Sequence, residues 1–357
     1  MEKKGLVLIK PEDHEKNARL EALLEGLPEI RGSIRRVISH AEDLHSLRGE
    51  RILLAIGLNA SGVLLEWVRM LDVIRRNGTL FEDCVGGVIV DSPSELYSKA
   101  AAREAVLAAS LSGCLFPGRP LVEGTGSLYN YHIQADLART GLPEAYRAAA
   151  AELAGRLLSF VRPVYERPKL LLLHASIRET SNTLRLWNMV RAGLGQEVQV
   201  QEISLQNGAV HDCVGCPFTT CMHFARQGSC FYGGVVVEQV YPALEECQGV
   251  LFLCPNYNDA LSANLSAAIN RLTSLYRVRQ FYEKYLYGIV VSGYSGGDIV
   301  AEQLIGSLNM NKTFLLPPRF VMMETANDPG SILKLPGIEE RAAAFGEQIR
   351  KQMCGGI

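Results

Sequence analysis

One order of elements occurs twice in this chain, and it restricts the fold more than any other feature. Arg51-Ile52-Leu53-Leu54-Ala55-Ile56-Gly57-Leu58-Asn59 leads into a helical pattern with Leu64, Leu65, Val68, Leu71 and Ile74 on one face. Gly249-Val250-Leu251-Phe252-Leu253-Cys254-Pro255-Asn256-Tyr257 leads into a similar pattern with Leu265, Ala268, Ile269 and Leu272. Each reads as a strand, a polar loop and an amphipathic helix. A glycine-flanked strand follows in both, Gly86-Gly87-Val88-Ile89-Val90 and Gly288-Ile289-Val290-Val291, and then Pro117-Gly118-Arg119 or Pro317-Pro318-Arg319. Both copies open on a strand, 5–10 and 169–174, and both finish on a Leu-Pro step before an Ala-rich helix, at Leu142-Pro143 and Leu335-Pro336. Strands alternating with helices predict a parallel sheet covered on both faces. The fold class is therefore α/β, with two tandem doubly wound domains at 1–162 and 168–357. The proline-bracketed stretch from Arg162-Pro163 to Arg167-Pro168 is the expected linker.

Composition narrows the function. A length of 357 residues suits two domains, each with its own core. The formal net charge of −2 gives no electrostatic footprint for nucleic acid. The first apolar run, Leu6 to Ile9, is too short for a signal peptide or a membrane span, so a cytoplasmic protein without membrane attachment is expected. Nine cysteines in that compartment are reduced. Cys84, Cys114, Cys247 and Cys254 are scattered and read as small buried apolar residues. Trp67 and Trp187 lie in helical patterns and read as packing residues.

The copies diverge where chemistry would sit. In the second, Leu170-Leu171-Leu172-Leu173 runs into His174-Ala175-Ser176-Ile177-Arg178-Glu179-Thr180-Ser181-Asn182-Thr183, a hydroxyl-rich turn that opens a helix. Unpartnered N–H groups and the helix dipole favour an anion there. Ser176, Ser181, Asn182 and Thr183 add donors, and Arg178 adds a fork that fits phosphate oxygens. The first copy has the acidic Pro11-Glu12-Asp13-His14-Glu15-Lys16 at this point and is expected to lack the ligand site.

In a doubly wound sheet, ligands bind beyond the carboxyl ends of the strands, so two further loops of the second copy should converge on the first. Pro255, Asn256, Tyr257 and Asn258 offer a ring and amides suited to a flat heterocycle with polar edges. Ser292, Gly293, Tyr294, Gly296 and Gly297 allow close approach of backbone N–H groups. Each loop alone also has a plain structural reading, as a helix cap or a turn.

Taken together and in order, the three loops resemble those of the flavodoxin-like NAD(P)H-dependent FMN reductases. The resemblance covers about 168–350 and rests on Ser-x-Arg-x-x-Ser-Asn-Thr at 176–183, Pro-x-Tyr at 255–257 and the glycine-rich 292–297. It implies FMN, with phosphate on the first loop and the isoalloxazine on the other two. Asn270-Arg271 stands where the family often has Asp-Arg. The resemblance makes the first domain a degenerate flavodoxin-like partner, a pseudo-dimer within the chain that covers the flavin with loops such as 58–62 or 124–131. A further homo-oligomer is open.

Cys213, Cys216, Cys221 and Cys230 fall in one connection, within a Cys-rich insertion at 211–234. Four thiolates so close suit a metal centre. With them the second domain is also similar to the iron–sulfur flavoproteins, although the gaps after Cys216 and Cys221 are longer than that family's. A [4Fe–4S] cluster leads, with a zinc site or a metal-free Cys213–Cys216 dithiol as alternatives. The expected function is an NAD(P)H-dependent FMN reductase-like oxidoreductase that passes hydride or electrons to an acceptor, with the cluster as relay. The alternative is a non-enzymatic electron carrier or redox sensor with a structural metal site. Hydride transfer needs no general acid or base, so no catalytic side chain is assigned.

Overall fold

The computed structural model describes residues 5–12, 17–177, 180–206 and 210–355. The chain forms two compact units, 1–161 and 162–357. The first contains the parallel strands β1 (Leu6–Ile9), β2 (Ile34–Ile38), β3 (Arg51–Gly57), β4 (Val85–Asp91) and β5 (Leu121–Gly124), in the spatial order β2-β1-β3-β4-β5. The second contains β6 (Lys169–His174), β7 (Gln199–Ser204), β8 (Gly249–Asn256), β9 (Tyr285–Ser292) and β10 (Val321–Thr325), in the order β7-β6-β8-β9-β10. Both orders are 2-1-3-4-5, that of flavodoxin. The expected α/β class with two flavodoxin-like sheets is what the chain adopts.

Central strands of such sheets are buried on both faces and therefore apolar without alternation. Leu170 to Leu173 show this: they pair with Val200 to Ile203 on one side and Gly249 to Phe252 on the other, and all four are buried. The register also equates the two units, because Gly57 pairs with Asp91 as Asn256 pairs with Ser292. Arg162 to Tyr165 belong to the second unit: Arg162 donates to the Gln352 carbonyl, and Tyr285 Oη donates to the Pro163 carbonyl at 2.7 Å.

One helix face departs from expectation. In the helix Leu65–Arg76 the buried stripe is Trp67, Met70, Leu71 and Ile74, while Leu65 and Val68 are 61% and 55% exposed. Two overlapping stripes fit the sequence. The one carrying the larger ring turns inward. The helix Ala263–Tyr276 buries Leu265, Ala268, Ile269 and Leu272 as expected.

In the second unit the terminal helix Ile338–Cys354 packs against the helix Asn182–Ala192 with almost no space between backbones. A Cβ on Gly346 would lie 2.1 Å from the Val190 carbonyl oxygen, and one on Gly193 would lie 2.1 Å from that of Ala343. Helix propensity alone would make Gly346→Ala stabilising by about 1 kcal/mol. The clash reverses the sign, and a loss of about 1–3 kcal/mol is expected from urea unfolding of the second unit. A gain in stability would show that the helices are not in contact.

Candidate functional site

Three loops of the second unit leave the carboxyl edge of its sheet, after β6, β8 and β9. The first is anchored by His174, which is fully buried at the end of β6. Its Nε2 lies 3.2 Å from Glu202 Oε1, and its Nδ1 accepts from the Ser176 N–H at 3.3 Å. An acceptor Nδ1 leaves the proton on Nε2, facing Glu202. Ser176 is buried, and its Oγ has no hydrogen-bond partner among the described residues. An unsatisfied buried hydroxyl is uncommon, and a ligand that fills its bond accounts for it.

The other predicted residues of this loop divide by role. Ser181 is the N-cap of the helix Asn182–Ala192, its Oγ accepting from the Leu184 N–H at 3.1 Å. Asn182 is a brace. Its Nδ2 donates to the Ala326 and Asp328 carbonyls at 3.0 and 2.8 Å, and its Oδ1 accepts from the Gly330 N–H at 2.8 Å. Thr183 is buried in the first turn. Arg178 lies outside the described residues. The amides of Asn182 and Thr183 have no intrahelical acceptor, as at any helix start.

Asn256 joins the second loop to the third. Its Nδ2 faces Asp259 Oδ1 at 3.2 Å, Ser292 Oγ at 3.1 Å and the Ser295 carbonyl at 2.9 Å, while its Oδ1 is buried without a partner. Gly296 has φ +80° and a Cβ there would lie 1.9 Å from Asp259 Oδ1, so no other residue fits this corner. Asn258 also holds a left-handed conformation, with φ 56°. Pro255 belongs to β8, and Tyr257 and Tyr294 are 66% and 82% exposed. Gly297 begins the helix Gly297–Leu304.

Gly293 faces a residue that the sequence did not reveal, Asn327, whose Nδ2 donates to Tyr294 Oη at 3.3 Å. Asn327 and the Asp328–Ser331 turn follow β10, a fourth loop at the same edge. No local signal marks it, because its role comes from Asn182 far upstream.

The matching edge of the first unit is occupied by its own side chains. Asp91, at the end of β4, is buried and accepts from Arg19 Nε at 2.8 Å, Arg19 Nη2 at 2.9 Å, Asn17 Nδ2 at 2.9 Å and Tyr146 Oη at 2.9 Å. Asn17 caps the helix Ala18–Gly26 through the Leu20 N–H. A cavity of about 770 Å³ lies beside this network, between Leu58, Val63, Leu65 and Gly126. Residues 13–16 of the acidic segment lie outside the described residues.

Cys213, Cys216, Cys221 and Cys230 all line one cavity of about 180 Å³, walled by Arg271 and Arg277. Among the described residues, however, no three or more His, Cys, Asp or Glu side chains are grouped as a metal ion would require. The expected cluster or zinc ligand set is therefore not assembled. The connection is tied instead to the helix Ala263–Tyr276. Asp212 accepts from Asn270, the Ser229 carbonyl from Ser274, and the Gly233 carbonyl from Arg271. Arg277 Nε lies 3.2 Å from Cys221 Sγ. All nine cysteines are free thiols. Burial pushes those of Cys84 and Cys247 up to about 11, and raises those of Cys114 and Cys254 as well.

The second unit is a doubly wound sheet with unsatisfied polar atoms at its switch-point loops, the place where sheets of this kind bind ligands. Residues 168–328 match the family described as NADPH-dependent FMN reductase. The second unit is thus a flavin-dependent, NAD(P)H oxidoreductase-like module. Among solved structures, the chain is similar to NAD(P)H:quinone oxidoreductase from Methanothermobacter marburgensis, with 14% identity, 51% of this chain and 98% of that one covered, and a TM-score of 0.40. It is also similar to an FMN-dependent NADH-azoreductase from Bacillus anthracis, with 10% identity, 51% and 99% covered, and a TM-score of 0.34. No curated protein matches the sequence. Among the described residues no helix is long and apolar enough to cross a membrane.

The brace and the ligand groups can be separated by mutation. Asn182→Ala takes the side-chain partner from the Gly330 N–H and the Ala326 carbonyl, while the Asp328 carbonyl keeps its bonds from Ser331, and at about 1–3 kcal/mol per buried group the change should cost on the order of 2–4 kcal/mol in urea unfolding of the flavin-free second unit. A cost under about 0.5 kcal/mol, typical of a plain surface change, would remove the brace.

Proposed function

We propose that this chain is a cytoplasmic NAD(P)H-dependent oxidoreductase whose second unit holds one FMN at the carboxyl edge of β6, β8 and β9. The observation that carries this reading is the pair of orphaned buried atoms, Ser176 Oγ and Asn256 Oδ1, at the loops that a phosphate and a ring with N–H edges would each need. FMN, when bound, supplies hydride acceptance from the nicotinamide and release of electrons to an acceptor. The side chains bind and orient. Ser176 Oγ and the first-turn amides of the helix Asn182–Ala192 hold the phosphate, with the helix dipole adding about 0.3–1 kcal/mol per charge. Arg178 is the further phosphate ligand in this reading, with Ser181 and Thr183 beside it.

Asn256 presents Oδ1 to the ring, and Pro255, Tyr257 and Asn258 form the wall next to it. The amides of Gly293, Gly296 and Gly297, with Ser292 and Tyr294, border the pyrimidine edge. Donors there stabilise negative charge on a reduced ring. The first unit is read as flavin-free, since Asp91 already supplies the anion that Arg19 and Asn17 hold.

Titration of flavin-free chain with FMN, followed by fluorescence quenching, should end at one equivalent. Ser176→Ala should weaken binding about tenfold, or about 1.4 kcal/mol, without lowering the stability of the flavin-free protein. Two equivalents, or an unchanged Kd, would contradict this assignment. NADH or NADPH turnover with added acceptors separates an enzyme from a pure electron carrier.

A second reading concerns the cysteine cavity. Four thiols on one small cavity, bordered by two guanidinium groups, support a [4Fe–4S] ligand set of Cys213, Cys216, Cys221 and Cys230, with zinc as the alternative. Loading would require the connection to close around the metal, and no step of the flavin chemistry is routed through it. Anaerobically purified protein should contain about four iron and four sulfide per chain. Zinc alone would shift the assignment to a structural site, and neither metal would end the reading.

A further inference from the structure

A cavity of about 640 Å³ lies away from the flavin loops, between the carboxyl end of the helix Ala263–Tyr276 and the segment that precedes β10. That segment lies at the amino end of β9, where Leu315 bridges to Tyr285. The walls include Phe218, Tyr276, Gln280 and Asn311, and the cations are Lys312 and Arg277. No carboxylate lines the cavity.

Lys312 is the anomaly. Its residue is only 8% exposed, and with no acceptor or ion-pair partner found among the described residues its ammonium opens on the cavity rather than being sealed in the core. Burial lowers its pKa, and the only group opposing this is Cys213. A lysine whose stem is buried and whose ammonium meets only the cavity is held in place to pair with an anion that enters it. The residue is firmly placed: the π-helical Ile305–Met310 delivers the chain to it, and Thr313 follows with φ 64°, its Oγ1 bonded to the Phe281 N–H at 2.7 Å. Arg277 uses Nε on Cys221 and lies 4.7 Å from the Phe218 ring centroid. Its terminal nitrogens have no carboxylate partner among the described residues. The remaining groups facing the cavity are amides, a hydroxyl and apolar side chains.

We propose that this cavity binds a phosphate monoester carried on a planar ring, of the nucleoside monophosphate class, with the oxyanion between Lys312 and Arg277. The volume lies in the range of small-molecule sites, about 300–1,000 Å³, and exceeds what a bare oxyanion fills. Phe218 and Tyr276 provide the apolar walls for the ring, and Asn311 and Gln280 carry amides that suit its polar edges. Guanidinium and ammonium together match a dianionic phosphate better than a single carboxylate. The site is separate from the flavin loops and does not depend on the flavin reading.

The test is calorimetric titration of the full chain, kept saturated with FMN, with AMP, GMP, CMP and UMP, and with adenosine and inorganic phosphate as controls. At least one monophosphate should bind one per chain, and at least tenfold more tightly than adenosine or phosphate. Lys312→Met and Arg277→Gln should each weaken it tenfold or more. The proposal is overturned if no monophosphate saturates or if Lys312→Met leaves binding intact. Should FMN fail to bind, the comparison of wild type with Lys312→Met still decides the question.

Discussion

Parallel strand pairing is the constraint on which everything else in this molecule depends. Parallel neighbours need a crossover, and right-handed crossovers bring every loop after a strand to one edge of the sheet, where the next helix begins. In the second unit that edge collects Ser176, Asn256 and the Gly293–Gly297 turn, which are far apart in sequence. The first unit has the same strand order and therefore the same edge. What differs is a handful of side chains. Asp91 replaces a small polar residue, Ser292, at the end of the fourth strand, and its carboxylate satisfies Arg19 and Asn17 internally. One fold thus gives one edge that is electrostatically closed on itself and one that keeps two polar atoms unpaired.

Legibility in the sequence followed the range of the interaction. Strands such as Leu170–Leu173 and Arg51–Gly57 could be read because burial on both faces demands an unbroken apolar run. The loops could be read because glycines, hydroxyls and amides follow those runs directly. The inward face of Leu65–Arg76 could be read only in part: Leu64, Leu71 and Ile74 are buried as the pattern expects, but Trp67 and Met70 complete the face in place of Leu65 and Val68, a choice that only the rest of the fold makes. Asn182 reads locally as a phosphate ligand, yet its side chain bonds the backbone of Ala326, Asp328 and Gly330 and the Ser331 hydroxyl, a relation that no local pattern encodes. The same holds for Lys312, an unremarkable lysine in sequence whose burial is set by two distant helices.

The cysteine connection shows how spacing and assembly differ. Four cysteines between 213 and 230 must lie near one another, and they do line a common cavity. Convergence of sulfurs to metal-ligand distances is a further condition, set by the loop conformation rather than by spacing. The loop is held to one face of the helix Ala263–Tyr276 by Asn270, Arg271 and Ser274, a polar row opposite the apolar Leu265–Ile269–Leu272 stripe. Asn270 donates to Asp212, while Arg271 is left with a carbonyl and an unpaired Nε.

That helix is also where the separate features meet. Its first turn reaches back to the loop after β7, through Asn264 to the Leu205 and Gln206 carbonyls. Its middle walls the cysteine cavity, and Arg277 just beyond its end walls both that cavity and the one containing Lys312. A guanidinium has five N–H donors in a fixed plane, so turning it toward an anion beside Lys312 moves the Nε that faces Cys221. Any free energy by which an anion changes the environment of Cys221 must return, by linkage, as an equal effect of the Cys221 state on anion affinity. Arg277 lines both cavities, so it is the residue through which occupancy of one would be felt at the other.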